Sequence, residues 1–263
     1  MKIKTLSRSR YNRTNVTSSV VVASGTQRAI FGYGLADIGN VSMTNLVSNT
    51  GVVATDTTGV GTARWSIAAA GYGTDKAIFG YGYNAGVVSM TNLVSNTGVV
   101  ANDVTGVGTA RYSLAAAGYG TDKAIFGYGY SNANTSITNL VSNSGTVALD
   151  TTGVGTARQA SKAAGYGTDK AIFGYGYNAG DVSMTNLVSN TGVVAGDTTG
   201  VGTARSGLAA TGYGGDKAIF GYGSTGAYTS ITNLVSNTGV VSIDTTGVGT
   251  ARTALAAAGY STT

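Results

Sequence analysis

The 263-residue sequence contains no cysteine, no histidine, no proline and no glutamate. Without cysteine the chain has no disulfide framework, no thiolate zinc site and no cysteine nucleophile. Without histidine it lacks the usual general base and the commonest metal ligand. Charged residues make up 10% of the chain, against about 25% in an ordinary soluble domain. We therefore predict that the protein is not an enzyme and that it has no cofactor and no metal site.

Positive charge is concentrated at the N-terminus. The first 13 residues carry five basic side chains and no acid, which equals the net charge of +5 of the whole chain. These basic residues are Lys2, Lys4, Arg8, Arg10 and Arg13. We interpret residues 1–17 as a basic arm, either solvated, or docked onto a virion or assembly protein, or binding phosphate, and residues 18–263 as the folded domain. Because the remainder is neutral, the composition argues against nucleic-acid binding.

Long hydrophobic runs are also missing. The apolar run nearest the N-terminus, Val20–Ala23, is far shorter than the core of a signal peptide. No stretch approaches the ~20 apolar residues of a membrane span. We expect neither a signal peptide nor a membrane-spanning segment.

The chain is a fivefold repeat with a period of 47 residues. The hexapeptide TNLVSN begins at positions 44, 91, 138, 185 and 232, and every interval is 47. In the second copy four short segments stand between turn signals, namely Ser66–Tyr72, Lys76–Gly82, Val88–Val94 and Gly98–Asp103. Their β-branched and aromatic residues indicate strands, and Gly, Asn, Asp and Thr dominate the turns. Four strands per copy predict an all-β, five-bladed β-propeller of four-stranded antiparallel blades, with a β-solenoid or fibre as the alternative.

Closure of the ring depends on a sixth copy of the first strand. The segments that resemble strands 2, 3 and 4 occur five times each, whereas strand-1-like sequence also occurs at Ser18–Ala23 and at Ala254–Tyr260. Only one of these two segments fits into blade 1. Since Ala254–Tyr260 keeps the ALAAAGY consensus, we favour it as the partner of the N-terminal repeat segment, with the reverse assignment left open.

Two families share features of this pattern. The run Gly108–Gly129 resembles a kelch repeat, in which an Arg precedes a small-residue strand, a Gly/Asp turn and a second strand ending in glycines. The period and copy number also resemble five-bladed lectin propellers of the tachylectin kind. Near-identical blades are similar to those of virion proteins of environmental tailed phages. These resemblances imply a propeller that binds a glycan or a host receptor, or that is part of a virion.

Variation among the five copies is confined to certain loops. The loop between strands 2 and 3 and the residues after the invariant arginine differ from copy to copy, and in an up-and-down blade both lie at the same end. We call this end the variable face, and the end with the constant turns the constant face. Binding residues usually lie in loops on a rigid scaffold, although loops under little packing constraint also drift. The candidate ligand-binding aromatic residues are Trp65, Tyr83, Tyr112, Tyr130, Tyr177 and Tyr228.

Two invariant charged sets are also candidates. Asp56 and its four counterparts precede a turn that ends at an invariant arginine. We include these arginines among the candidate ligand-binding residues: Arg64, Arg111, Arg158, Arg205 and Arg252. The alternative is that each Asp caps its turn and pairs with an Arg, which would fix the connection between blades.

Overall fold

The structure is a computed structural model, and it describes residues 28–259. The basic arm, the segment Ser18–Ala23 and Tyr260 lie outside the described residues. The described chain is all-β and consists of small antiparallel sheets, which confirms the all-β part of the predicted fold class.

Five sheets follow one another along the chain. The first sheet consists of β1 (Ala29–Ala36) and β2 (Gly39–Val47). The second consists of β3 (Ala68–Tyr72), β4 (Lys76–Tyr83) and β5 (Val87–Val94). The third consists of β6 (Ala115–Tyr119), β7 (Lys123–Gly127) and β10 (Thr138–Val141). Between β7 and β10 the short strands β8 (Tyr130–Ser131) and β9 (Ala133–Asn134) form a separate two-stranded hairpin, which is counted here with the third sheet. The fourth consists of β11 (Lys162–Tyr166), β12 (Lys170–Tyr177) and β13 (Asp181–Val188), and the fifth of β14 (Ala209–Tyr213), β15 (Lys217–Ser224) and β16 (Tyr228–Val235).

The fourth predicted segment of each copy is not a regular strand. In the second sheet it meets β5 only at two isolated bridges, Val94 to Val100 and Thr91 to Val104. Between these bridges the side-chain amide of Asn92 donates to the carbonyl of Ala101 at 3.0 Å. The side chain of Asn92 thus bonds to a backbone carbonyl that a regular β-ladder would pair with a backbone N–H. The prediction of four-stranded sheets is therefore wrong in this detail, because three strands and an irregular edge form each complete sheet.

The middle strands β4, β12 and β15 each contain a bulge at a tyrosine, and β7 ends at the equivalent point. In β4 the register shifts between Gly80 and Gly82, and Tyr81 between them has a φ of 62°. A bulky residue rarely adopts this left-handed conformation. The bulge leaves the carbonyl of Tyr81 free of the ladder, and it accepts a hydrogen bond of 2.8 Å from Arg64 Nε.

Consecutive sheets pack through an aromatic ring that lies on a glycine. The ring of Phe126 lies on Gly80, where a Cβ atom would be 2.7 Å from Phe126 Cζ. Tyr81 contacts the same ring, with 5.2 Å between centroids. The core therefore consists of repeated apolar clusters between neighbouring sheets.

The first strands of four sheets converge on one cavity of about 580 Å³. It is lined by Gly71, Gly118, Gly165 and Gly212 together with the neighbouring turns of the constant face. The strands approach closely there: a Cβ atom on Gly118 would lie 3.4 Å from the carbonyl oxygen of Gly71, which leaves room for only a small residue. The small residues of the first strands are thus explained by their convergence.

Candidate functional site

The connection into each sheet pairs with the loop end of its middle strand. In the second sheet the N–H of Trp65 donates to the carbonyl of Tyr83 at 3.2 Å, and the N–H of Tyr83 donates back at 2.9 Å. The third sheet repeats this pair between Tyr112 and Tyr130, at 3.1 and 2.9 Å. The two variable regions of the sequence therefore meet at one end of each sheet.

Four of the six candidate aromatic residues form one continuous group, which we call the aromatic cluster: Trp65, Tyr83, Tyr112 and Tyr130. Ring centroids are 5.7 Å apart for Trp65 and Tyr83 and 6.1 Å apart for Trp65 and Tyr112. Tyr112 also contacts Tyr83 at 5.7 Å and Tyr130 at 5.6 Å. The cluster spans the second and third sheets.

The aromatic cluster is half-buried, so each ring is held by its neighbours while part of it remains in contact with solvent. The hydroxyl groups of Tyr83, Tyr112 and Tyr130 make no hydrogen bond within residues 28–259. Such a group presents apolar rings and free donor and acceptor groups side by side. It can stack on the apolar face of a ligand and hydrogen-bond to it, and both are binding functions.

The other two candidates stand apart from the cluster. Tyr177 pairs through its backbone with Gln159. Because Gln159 is not aromatic, the row of aromatic rings ends at Tyr130. Tyr228 is 66% exposed and lies at the start of β16. In the fifth sheet the paired positions are Ser206 and Ser224. The variable face is therefore chemically asymmetric, with its aromatic residues concentrated on two sheets.

The candidate arginines do not lie on the variable surface. Four of them have no exposed surface and are held inside the molecule, namely Arg64, Arg111, Arg158 and Arg205. Arg64 donates from Nε to Tyr81 O, from Nη1 to Thr62 O at 2.9 Å, and from Nη2 to Asn92 Oδ1 at 2.6 Å. Its Cζ also lies 4.4 Å from the ring centroid of Tyr33 in the preceding sheet. The burial of these four arginines contradicts their assignment as ligand-binding residues, because a ligand at the surface cannot reach a side chain that has no exposed area.

Four of the five invariant aspartates pair across the connection between sheets. Asp103 accepts hydrogen bonds from the N–H and Oγ1 of Thr62 and lies 3.8 Å from Arg64 Nη1. Burial alone raises the pKa of Asp103, but the hydrogen bonds from Thr62 and Asn92 and the charge of Arg64 lower it below its usual value. Asp103 therefore fixes the connection, containing Thr62 and Arg64, that leads into its own sheet. The sequence instead predicts that each Asp caps the turn directly after it.

The hub of this network is an asparagine that sequence reasoning did not single out. Asn92 accepts from Arg64 and donates to both Ala101 O and Asp103 Oδ1. Its equivalents in the third, fourth and fifth sheets do the same. The signal that could have revealed it is the invariance of TNLVSN, in which it is the second residue.

The fourth sheet also has a polar irregularity that was missed. Ser161 and Lys162 occupy positions where the third sheet has Leu114 and Ala115. The Ser161 hydroxyl is fully buried without a hydrogen-bond partner. Burial lowers the pKa of Lys162, whose amine forms no ion pair within the described residues.

The cavity at the constant face is lined by ion pairs within single turns. Lys76, Lys123, Lys170 and Lys217 each contact the preceding aspartate at 2.6 to 3.0 Å. Hydrogen bonds from Lys76 and Asn96 lower the pKa of Asp75. Because each charge is already paired, this cavity offers no excess charge to a ligand.

No group of three or more potential metal-ligating side chains occurs in residues 28–259. The same part of the chain contains no helix that could cross a membrane. No protein-family model matches the sequence, and a comparison with curated proteins gives no match.

Proposed function

We propose that this protein is a non-catalytic recognition protein that binds its ligand through the variable face. The observation that carries the proposal is the aromatic cluster, in which four side chains from two sheets form one half-exposed surface. Aromatic side chains supply a large contact area at low conformational cost and dominate many binding interfaces. The buried Arg–Asn–Asp network supplies the rigid frame that fixes their positions.

The biological setting that we propose is a virion or cell surface, where the protein serves as a decoration or receptor-binding component. Two features of the sequence support this setting. One is the resemblance to propeller proteins of tailed phages, and the other is the basic arm, whose five charges can dock onto an acidic surface of an assembly. A soluble multivalent lectin is the alternative, because stacked aromatic residues also suit sugar rings.

We further propose that the five sheets are the blades of a propeller around a common axis. The convergence of four first strands on one cavity supports this arrangement. So does the repetition of one joint, in which a phenylalanine ring lies on a glycine of the preceding sheet. Identical joints between identical units imply a constant rotation from each sheet to the next.

A glycan array and a panel of bacterial surface preparations, both probed with the full-length chain, test the proposed function. We expect binding that falls at least about tenfold when Trp65→Ala and Tyr112→Ala are combined, the range for removing interface hot spots. Binding to glycans would favour the lectin, and binding only to surface proteins would favour the receptor-binding component.

Matched variants separate the aromatic cluster from a general loss of aromatic surface. Tyr228→Ala removes an exposed tyrosine outside the cluster, and Val99→Ala removes an apolar side chain that is 66% exposed. Both should bind within about twofold of the unmodified chain, as residues outside a hot spot do. Equal losses in all variants, or no binding to any probe, would contradict recognition by the cluster. Replacement of all five arm residues by Gln tests the assembly role separately.

A further inference from the structure

Within residues 28–259 the first sheet has no first strand, whereas each of the other four sheets has one. An open groove of about 920 Å³ lies beside β1, between the first and second sheets. Its apolar lining includes Ile30, Leu46 and Ala70. Phe31 is 57% exposed there, whereas its counterpart Phe79 is 4% exposed. The groove thus occupies the place that a first strand takes in every other sheet.

The fifth sheet has no following sheet packed against it among the described residues. In the fourth sheet Gly174 is covered by the ring of Phe220 from the next sheet, which Tyr175 also contacts with 5.1 Å between centroids. The corresponding Gly221 meets only Thr232, which belongs to its own sheet. The joint between sheets is complete four times, and its two halves are left open at opposite ends of the described chain.

The polar part of the joint is open in the same way. Thr203 donates its N–H and hydroxyl to Asp244, and three further pairs repeat this bond. Among the described residues Asp56 accepts only from Asn45, and Thr250 has no carboxylate partner. The donor at one end and the acceptor at the other are therefore both available.

Arg252 shows most clearly which hydrogen-bond partners the joint at the end of the described chain is missing. Its Cζ lies 4.0 Å from the ring centroid of Tyr222, as each other arginine lies over the tyrosine of the preceding sheet. Arg205 also donates to Asn233 Oδ1 at 2.7 Å and to a tyrosine carbonyl. Within residues 28–259 Arg252 donates only to Thr250 O. Its Nε and Nη2 lack the two acceptors that complete every other joint.

We propose that residues 249–260 complete the first sheet of the same chain and so form a fifth joint. In this joint Arg252 donates to the carbonyl of Tyr33 and to Asn45, and the segment after it pairs with β1. The proposal rests on the ring of five sheets proposed above. It names the residues that close the ring, which the described contacts do not join.

The C-terminal segment matches the groove at the positions where the N-terminal segment does not. All four internal joints have an arginine and a tyrosine, as in Arg64 and Tyr72. A branched apolar residue such as Ile67 stands between them in the second, third and fifth sheets, whereas the fourth has Ser161 there. At these positions the C-terminal segment has Arg252, Leu255 and Tyr260, and the N-terminal segment has Val16, Ser19 and Ser24. Only the C-terminal segment can supply the guanidinium donors and the aromatic ring.

Two glycines in the first two sheets, Gly34 and Gly98, have room for these side chains. Gly82 is approached by Ile67, whereas no atom of residues 28–259 lies within 4 Å of a Cβ atom on Gly34, which leaves a place for Leu255. The atoms nearest to Gly145 belong to a leucine and to Tyr72, whereas the three nearest to Gly98 all belong to a leucine. Tyr260 would supply the missing ring on Gly98.

Engineered cysteine pairs in the full-length chain test the joint, because the natural sequence has no cysteine. By equivalence with the pair Ala70 and Ile78, the proposal places Ala258 opposite Ile30. Ile30→Cys with Ala258→Cys should form an intramolecular disulfide with a yield within about twofold of the control pair, Ala70→Cys with Ile78→Cys, because disulfide geometry is specific. Non-reducing gels and light scattering would distinguish one chain from two.

A rival pair, Ile30→Cys with Val22→Cys, reports the N-terminal segment. A disulfide in this pair, disulfide-linked dimers or ladders through positions 30 and 258, or no disulfide where the control pair forms one, would each overturn the proposal. Linked dimers would mean that the two open ends join different molecules, which gives a larger ring or a filament.

A second measurement does not depend on disulfide geometry. If the joint forms, Arg252→Lys should lower the midpoint of thermal unfolding about as much as Arg205→Lys, because both remove bidentate donors from the same network. An unchanged midpoint for Arg252→Lys would overturn the proposal. Neither readout involves the aromatic cluster, so failure of the joint and failure of ligand binding are distinguishable.

Discussion

Arg111 lies over the ring of Tyr81, with its Cζ 4.3 Å from the ring centroid, and so joins the third sheet to the second. The guanidinium also donates to Tyr128 O at 2.8 Å and to Asn139 Oδ1 at 2.7 Å. Burial lowers the pKa of Arg111. Arg111 therefore joins the two sheets through a buried charge that has hydrogen-bond partners in its own sheet and an aromatic partner in the preceding one.

Replacement of Arg111 by lysine should destabilise the protein. Lysine keeps the charge but cannot make the planar set of bonds to Tyr128 and Asn139, so a buried charge is left with incomplete partners. We expect a loss of roughly 3 kcal/mol in the free energy of unfolding, measured by urea denaturation. Lys123→Arg, which changes an exposed turn, is the control, and a loss as large as that of Arg111→Lys would contradict the explanation.

Alkaline pH should destabilise the fold through three buried tyrosines, Tyr81, Tyr128 and Tyr175. Burial raises the pKa of each to about 12, whereas the unfolded chain releases the proton near pH 10. Between these values the folded state binds more protons than the unfolded state, so the stability falls as the pH rises from about 10 to about 12. Each tyrosine contributes roughly 2–3 kcal/mol to this loss.

Unfolding free energies measured across this pH range would show the slope. Tyr81→Phe should flatten the slope by less than a third, because burial also raises the pKa values of Tyr33, Tyr72, Tyr119 and Tyr166. The variant begins less stable because it loses the hydrogen bond to Val107 O. A slope that is the same in the variant would assign the alkaline loss to other groups.

Replacement of Lys162 by alanine should stabilise the protein. Alanine occupies the equivalent positions, Ala68, Ala115 and Ala209, where it is buried. Removal of a largely buried amine without an ionic partner should add roughly 1–3 kcal/mol, measured as an increase in the urea midpoint. Because the pKa of Lys162 is lowered in the folded state, the gain should be present at neutral pH and should shrink as the pH rises toward 10.5.

Lys170→Ala, in an exposed turn of the same sheet, is the control for Lys162→Ala. It should change the stability by less than about 0.5 kcal/mol, as most surface substitutions do. A loss of stability in Lys162→Ala would mean that the amine has a stabilising partner.

A methyl group on Gly80 should push consecutive sheets apart. The Cβ atom would lie 2.7 Å from Phe126 Cζ, and overpacking of this kind usually costs about 1–3 kcal/mol. Gly86→Ala is the matched control, because no atom lies within 4 Å of a Cβ atom there. Thermal unfolding should show a lower midpoint for Gly80→Ala only, and similar midpoints for both variants would contradict the proposed packing.

The regular strands are the part of the fold that the sequence predicts well. In the second copy the predicted segments Lys76–Gly82 and Val88–Val94 agree with β4 and β5 to within a residue at each end. The irregular edge escapes such reasoning because it results from the side chain of Asn92, which bonds to a backbone carbonyl nine residues away. The left-handed tyrosines escape it as well, since a Tyr between two glycines carries no signal for its own φ.

The candidate site was predicted in outline and not in detail. Reasoning about loops identified the six aromatic residues of the variable face, but it could not show that Trp65 and Tyr112 come from adjacent sheets and touch. The arginines were misassigned because a residue that is constant in every copy has the same pattern whether it binds a ligand or fills the interior. Only the burial of Arg64 and its counterparts separates the two.

The packing of a phenylalanine on a glycine has a consequence for how the number of repeats in the gene can change. Because each sheet presents the same ring on one side and the same glycine on the other, any internal sheet can follow any other without a mismatch. Unequal recombination within the gene would therefore delete or duplicate whole units and still leave the phenylalanine–glycine contact between consecutive sheets intact. This contact by itself carries no information about the number of units, so only the closure of the proposed ring can select for five.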